Sequence, residues 1–105
     1  MAKYKVELLT EARLQLRDIA NYHLMVVGSK PAEKITNRIL DEIDKLVDFP
    51  FMGVTSPSEM VAKAGYRMLV VGDYLCFYNI FEDTVYINHI VHSSTDYIKK
   101  LLPKN

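Results

Sequence analysis

The chain has 105 residues, half of them hydrophobic and a quarter charged, with 13 basic residues balancing 13 acidic ones. This composition is typical of a globular protein and excludes a disordered chain, and the length suits one hydrophobic core, so we expect a single domain over residues 1–105. A formal net charge of zero disfavours broad binding to nucleic acid, since each phosphate contact calls for a basic side chain.

The N-terminal half predicts a strand followed by two helices. Apolar residues alternate weakly over residues 3–9, as in a strand, and then recur at three- and four-residue spacing over residues 11–27 and 31–49. The second helix should end before Pro50, because proline disfavours helical geometry in the residue before it. The short connection over residues 28–30 predicts that the two helices form an antiparallel hairpin.

The C-terminal half predicts a run of strands. Residues 54–63 are expected to form a polar loop. Strands are predicted over residues 66–71, 74–81 and 84–92, with turns at Gly72-Asp73 and Glu82-Asp83 and a short last helix after Ser94 or Thr95. The order βααβββα favours an α+β domain, in which the N-terminal strand and the helical hairpin pack with an antiparallel sheet.

The cysteine count and the length of the apolar stretches indicate the cellular location to expect for the protein. Cys76 is the only cysteine, which leaves no intrachain disulfide, and its apolar neighbours in the sequence predict a buried thiol. No apolar run approaches the ~20 residues that span a bilayer, and the N-terminus lacks the apolar region of a secretion signal. We therefore expect a cytoplasmic protein with no membrane partner.

Neither a metal nor a cofactor is expected. The sequence holds no Gly-rich phosphate loop, no nucleophile elbow and no His-Glu-x-x-His or calcium-loop pattern. His89 and His92 lie three residues apart on a predicted strand, which places them on opposite faces and disfavours a two-histidine metal site. His23 falls near the middle of the apolar stripe of the first helix, which predicts an interior histidine.

The first helix carries apolar residues outside its main stripe. Leu14 and Met25 project close together on its polar side, and Leu24 lies off the core arc. Isolated exposed apolar side chains are common in soluble proteins and need no special cause. The alternative interpretation is that another chain covers this side of the helix.

The end of the last strand carries the strongest candidates for chemistry. A metal-free ribonuclease needs a general base, a general acid and a cation at the phosphate, and His92, Tyr97 and Arg67 have the required side chains. The alternative is structural: Tyr97 packs the last helix on the sheet, His92 ends a strand and Arg67 pairs with an acid.

Several segments carry a family resemblance through their order and spacing: residues 11–22, 31–33 with the Ile-rich stripe that follows, 49–53, 64–67, 77–78 and 87–96. Together they resemble the RelE/ParE superfamily of toxins from type II toxin–antitoxin modules, over nearly the whole chain. The fold of that family is a helical hairpin on an antiparallel sheet. Ser93 and Ser94 stand where the nuclease branch tends to carry basic residues, so the chain is more similar to the ParE-like, plasmid-stabilisation branch.

The resemblance implies a toxin that inhibits growth until its antitoxin neutralises it. On the ParE-like interpretation the toxin binds and inhibits DNA gyrase and is not an enzyme. On the RelE-like alternative it cleaves mRNA on the ribosome without a metal. A third interpretation is an inactive relative that acts as a corepressor with its antitoxin. Contact with operator DNA is expected only through the antitoxin.

The resemblance and the pattern together give three sets of candidate residues. Those proposed to act in catalysis, if the nuclease interpretation holds, are Arg67, His92 and Tyr97. Those proposed to bind the target are Tyr66, Arg67, His92, Asp96 and Tyr97. Those proposed to bind the antitoxin are Leu14, Leu24 and Met25.

Overall fold

Five strands and four α-helices follow one another over residues 3–102, the part of the chain that the computed structural model describes. Residues 1–2 and 103–105, the ends of the predicted domain, lie outside the described residues. The helices are α1 (Thr10–Val26), α2 (Ser29–Asp44), α3 (Glu59–Lys63) and α4 (Tyr97–Leu101), and a 3₁₀ turn (Lys45–Val47) extends α2. The strands are β1 (Lys5–Leu8), β2 (Val54–Thr55), β3 (Arg67–Val71), β4 (Tyr74–Phe81) and β5 (Thr84–His92).

The strands form one sheet in the order β1-β5-β4-β3-β2. The predicted α+β fold, with a helical hairpin against this sheet, is confirmed. The sheet is not wholly antiparallel, because β1 pairs in parallel with β5. The segment 54–63, predicted to be a loop, contains β2 and α3. Both elements are too short for a hydrophobic period, and the Ser58 side chain caps α3 by accepting from the Val61 amide at 3.4 Å.

The sheet has an apolar cluster on each face. The face toward α1 and α2, here called the hairpin face, buries Tyr74, Cys76 and Tyr78 of β4 against helix residues that include Ala12, Ile39 and Leu46. The opposite face buries Leu75 and Phe77 of β4 against Val61 of α3 and Leu101 of α4. Alternate residues of β4 therefore serve different clusters, as the two-residue period of a strand requires.

Tight turns set the boundaries of these elements. Gly28 joins α1 to α2 with a φ of +134°, in a region that favours glycine. Gly72 has a φ of +58° in the predicted two-residue turn between β3 and β4.

The thiol of Cys76 is buried as predicted, and burial raises its pKa to about 12, so the thiol is unreactive. Within residues 3–102, no helix has both the length and the apolar character needed to cross a membrane.

The hydroxyl of Tyr78 fixes the loop that follows the helical hairpin. This fully buried hydroxyl accepts from the Gly53 amide at 2.9 Å and donates to the Pro50 carbonyl at 2.9 Å. A Cβ added at Gly53 would lie 2.5 Å from that oxygen, so only glycine allows the backbone to come this close. The loop over residues 49–54 is thereby attached to the middle of β4; we call it the anchored loop.

A glutamine of α1 takes the place of a strand beside the end of β5. The pairing of β1 with β5 stops at Leu8 and Ile87, which leaves the far part of β5 without a neighbour on that side. Gln15 accepts from the Ile90 amide at 2.7 Å through Oε1, and its Nε2 lies 3.3 Å from Nδ1 of His89. Since the amide nitrogen can only donate, the His89 Nδ1 is the acceptor and the imidazole is neutral in this arrangement.

This arrangement predicts a pH dependence of stability. Burial lowers the pKa of His89 below its usual value; Lys100 adds to that shift and Glu11 opposes it. The unfolded chain therefore binds more protons, and the free energy of unfolding should fall as the pH drops below about 6.5. His89→Gln should lessen this decline, which urea denaturation at a series of pH values would measure. An equal decline in both proteins would contradict the assignment.

Candidate functional site

The guanidinium of Arg67 is engaged by the anchored loop. Its Nη2 donates to the carbonyl oxygens of Phe51 at 2.9 Å and Gly53 at 2.7 Å, and its Cζ lies 5.4 Å from the centre of the Phe51 ring. Among residues 3–102 no carboxylate lies within 4.0 Å of it, so the pairing with an acid considered from the sequence is absent there. Its contacts are those of a structural arginine that holds a loop.

His92 lies at the other end of the hairpin face. It pairs with Tyr74 across β4 and β5, and the two rings meet edge to face at 5.4 Å between centres. Arg67 pairs with Tyr78, four residues further along β4. At ~3.3 Å per residue, the two positions are separated by ~13 Å along the strand direction alone. The Arg67 guanidinium, moreover, is bonded to the anchored loop and not directed along the sheet to His92.

Tyr97 packs against the opposite face of the sheet. Its ring lies 4.8 Å from that of Phe77, within the cluster formed by α3 and α4. Tyr97 thus packs with Phe77 in the cluster of α3 and α4, whereas His92 packs with Tyr74 on the hairpin face. The structure does not bring together the three side chains that the sequence suggested as a ribonuclease site.

The remaining two target-binding candidates also lie on the side of α3 and α4. Tyr66 is half-buried and packs against the same cluster as Tyr97. Asp96 is exposed, and its carboxylate lies 3.8 Å from the Lys99 ammonium. An exposed pair of this kind contributes little to stability, so the Asp96 carboxylate is accessible to a partner.

The anchored loop presents apolar side chains to solvent. Phe49 is 64% exposed and Phe51 is 60% exposed, although the backbone between them is held by Tyr78 and Arg67. Met52 and Val54 beside them are also exposed. Exposed apolar side chains on a fixed backbone are typical of a binding surface, because little conformational entropy is lost when a partner covers them.

The three antitoxin-binding candidates of α1 are all exposed. Met25 has 85% of its surface accessible, and Leu14 and Leu24 also lie at the surface. Val26 and Val27 extend this apolar surface over the end of the helical hairpin. The described residues leave it uncovered, as the hypothesis of a covering chain requires.

A polar groove lies between the helical hairpin and the end of the sheet, and sequence reasoning did not find it. Its volume is about 630 Å³. Side chains of α1, of Arg38 in α2, of the Gly72-Asp73 turn, of His92 and of Lys100 line it. Across its floor, His23 Nε2 lies 2.9 Å from the hydroxyl of Tyr74, which links α1 to β4. His23 is half-buried and hydrogen-bonded, in agreement with the predicted interior histidine.

The hydrogen bonds in the groove define which atoms face a ligand. Burial, together with the nearby Tyr22 and Asp73, raises the pKa of Tyr74, which keeps its phenol protonated. At His92, the Ser94 amide donates to Nδ1 at 3.1 Å, so Nδ1 is an acceptor and the ring hydrogen of the neutral imidazole is on Nε2. Among residues 3–102, no three His, Cys, Asp or Glu side chains cluster as metal ligands would.

Comparison with models of protein families identifies the family of this chain. The model of the ParE toxin of type II toxin–antitoxin systems, parDE, matches residues 6–97, which is most of the described chain. The chain belongs to the ParE toxin family. The resemblance to the RelE/ParE superfamily seen in the sequence is thus confirmed. Among curated proteins, none matches this toxin in sequence.

Solved structures support the fold of the toxin. The chromosomal ParDE toxin–antitoxin system from P. aeruginosa matches with a TM-score of 0.74 at 18% identity, covering 88% of this chain and 98% of that one. The toxin–antitoxin complex RelBE2 from Mycobacterium tuberculosis matches with a TM-score of 0.63 at 22% identity, covering 86% and 98%. At such identities the similarity establishes the shared fold alone.

The contacts of Arg67 predict a loss of stability when it is replaced. Arg67→Met removes the donor to the Phe51 and Gly53 carbonyls, and hydrogen bonds from charged donors typically contribute about 1.5–3 kcal/mol. We expect a decrease of about that size in the free energy of unfolding, measured in urea. Arg17→Met is the matched control, because the Arg17 guanidinium is exposed and lies 4.0 Å from Asp18 only. Equal losses in the two variants would contradict the structural role.

Proposed function

We propose that this ParE-family toxin arrests growth by binding DNA gyrase and inhibiting it, without catalysing a reaction. The observation that carries this proposal is the separation of Arg67, His92 and Tyr97. Arg67 holds backbone carbonyls, and His92 and Tyr97 pack with residues of β4 that belong to different clusters. General acid–base cleavage of a phosphodiester requires its groups within reach of one phosphate, which this arrangement does not offer.

The exposed surface of the toxin also supports binding. The anchored loop holds Phe49 and Phe51 outward on a backbone fixed from within the sheet. A zero net charge agrees less well with the ribosome and mRNA, whose phosphates favour a cationic protein. Of the residues proposed from the sequence to bind the target, His92 and Asp96 remain the most accessible.

We further propose that the antitoxin covers the apolar side of α1, over Leu14, Leu24 and Met25. The family model is that of a toxin from a toxin–antitoxin system, and the matching solved structures are a ParDE system and a RelBE2 complex. The exposure of these three side chains is the feature that a folding antitoxin segment would bury. Burial of the full surface of Met25 alone would contribute about 1.5–3 kcal/mol.

Induction of the toxin in bacterial cells tests its target. We expect growth arrest with altered plasmid supercoiling and intact mRNA, and we expect purified toxin to inhibit supercoiling by purified gyrase. Cuts in mRNA at ribosome-bound codons, with gyrase unaffected, would support the RelE-like alternative and overturn the proposal. An absence of growth arrest would overturn it in favour of a corepressor.

A second arm of that experiment adds the antitoxin and tests the surface on α1. Met25→Glu should weaken antitoxin binding about tenfold or more, because it places a charge in an apolar contact. Asn37→Glu is the matched control, since it adds the same charge at an exposed position of α2. The Met25 variant should stay toxic when antitoxin is supplied. Unchanged affinity with an intact fold would exclude this surface.

A further inference from the structure

Four aromatic rings follow one another across the polar groove. Neighbouring ring centres are 5.6 Å apart between Tyr22 and His23, 6.1 Å between His23 and Tyr74, and 5.4 Å between Tyr74 and His92. Tyr74 is buried in the floor, whereas Tyr22 is 60% exposed and His92 is also exposed. The exposed rings of Tyr22 and His92, on either side of His23 and Tyr74, give a flat ligand surfaces on which to stack.

Hydrogen-bond donors line the same groove. Among residues 3–102, neither Arg38 nor Lys100 has a carboxylate within 4.0 Å. The Arg38 guanidinium lies against the Gly72 turn, where an added Cβ would come within 3.0 Å of Nη1. The Nε2 hydrogen of His92 adds a third donor, because Nδ1 is occupied by the Ser94 amide. Arginine and lysine without a carboxylate partner form a natural site for an anionic group.

The acidic residues of the groove limit the charge of its ligand. Asp73 lines it at the turn, and Asp18 lines it beside the Arg17 guanidinium. Because Arg38 and Lys100 line the groove together with these two carboxylates, the formal charge of the lining is balanced. A polyanion gains little there, whereas a ligand with one anionic group and a flat, polar, uncharged body can match all parts of the groove.

We propose that this groove binds a phosphorylated nucleoside. The base stacks against Tyr22 and His92 over the Tyr74 floor, and the phosphate binds Arg38 and Lys100. The volume of about 630 Å³ is within the range of small-ligand sites, about 300–1,000 Å³. The shared chemistry comes from a free nucleotide or from the phosphorylated end of a nucleic-acid strand. The inference goes beyond gyrase inhibition: the groove is distinct from the anchored loop, and His92 is the one target-binding candidate among its lining residues.

Titration of the purified full chain with defined probes tests the proposal. Adenosine 5′-monophosphate, adenosine and inorganic phosphate would each be added while the NMR signals of the chain and the heat of binding are followed. We expect the monophosphate to bind with shifts at Tyr22, Tyr74 and His92. Adenosine alone and phosphate alone should each bind at least about tenfold more weakly, since each lacks one half of the contacts.

Two neighbouring lysines of α4 give a matched pair of variants. Lys100 lines the groove, whereas Lys99 lies by Asp96 outside it. Lys100→Gln and Arg38→Gln should each weaken binding of the monophosphate about fivefold or more, and Lys99→Gln should leave it unchanged. Tyr22→Leu should weaken binding about fivefold or more through the lost stacking, with little effect on folding because this side chain is exposed.

A last titration distinguishes the two sources of the ligand, a free nucleotide and the phosphorylated end of a nucleic-acid strand. A 5′-phosphorylated trinucleotide that binds more tightly than the monophosphate would assign the groove to the end of a strand. Weaker binding of the trinucleotide would assign it to a free nucleotide. No binding of any probe at millimolar concentration would overturn the proposal, and so would equal effects of Lys100→Gln and Lys99→Gln. Gyrase inhibition is measured separately, so either proposal can fail without the other.

Discussion

The buried hydroxyl of Tyr78 joins the helical half of this toxin to its sheet. It is bonded to the Gly53 amide and the Pro50 carbonyl, which belong to the loop that leaves the helical hairpin. A backbone amide and carbonyl buried here without partners would each cost about 1–3 kcal/mol. Arg67, next to Tyr78 in the sheet, bonds two further carbonyls of the same loop. These hydrogen bonds to the loop backbone fix the position of β2 and direct the loop side chains outward.

This constraint separates the functional surfaces of the toxin. Arg67 is occupied by the anchored loop, and the cations that line the groove with His92 are Arg38 and Lys100. The apolar surfaces lie elsewhere, at the end of α1 and on the anchored loop. The molecule therefore presents a rigid apolar loop, an antitoxin-binding candidate on α1 and a polar groove that adjoins α1.

Periodicity in the sequence was sufficient to predict both long helices, the three long strands and the turn at Gly72, because these features depend on neighbours in the chain. The role of Arg67 could not be predicted, since its partners are carbonyl oxygens of residues 14 and 16 positions earlier, which no side-chain pattern reveals. The groove was missed for a similar reason. His23 and Tyr74 are 51 residues apart and meet only when α1 packs on the sheet. The separation of His92 from Tyr97 follows from which face α4 covers, and a strand pattern does not specify that.

Hydrogen exchange at the Gly53 amide tests the central claim most directly. This amide follows the exposed Phe51 and Met52 in the anchored loop, and among residues 3–102 its hydrogen bond is to the Tyr78 hydroxyl alone. We expect protection close to that of the amides of β4, because the bond can open only when the loop leaves the sheet. In Tyr78→Phe that protection should disappear while β4 itself stays protected. Fast exchange of Gly53 in the unaltered toxin, at the rate of an exposed loop, would contradict the account.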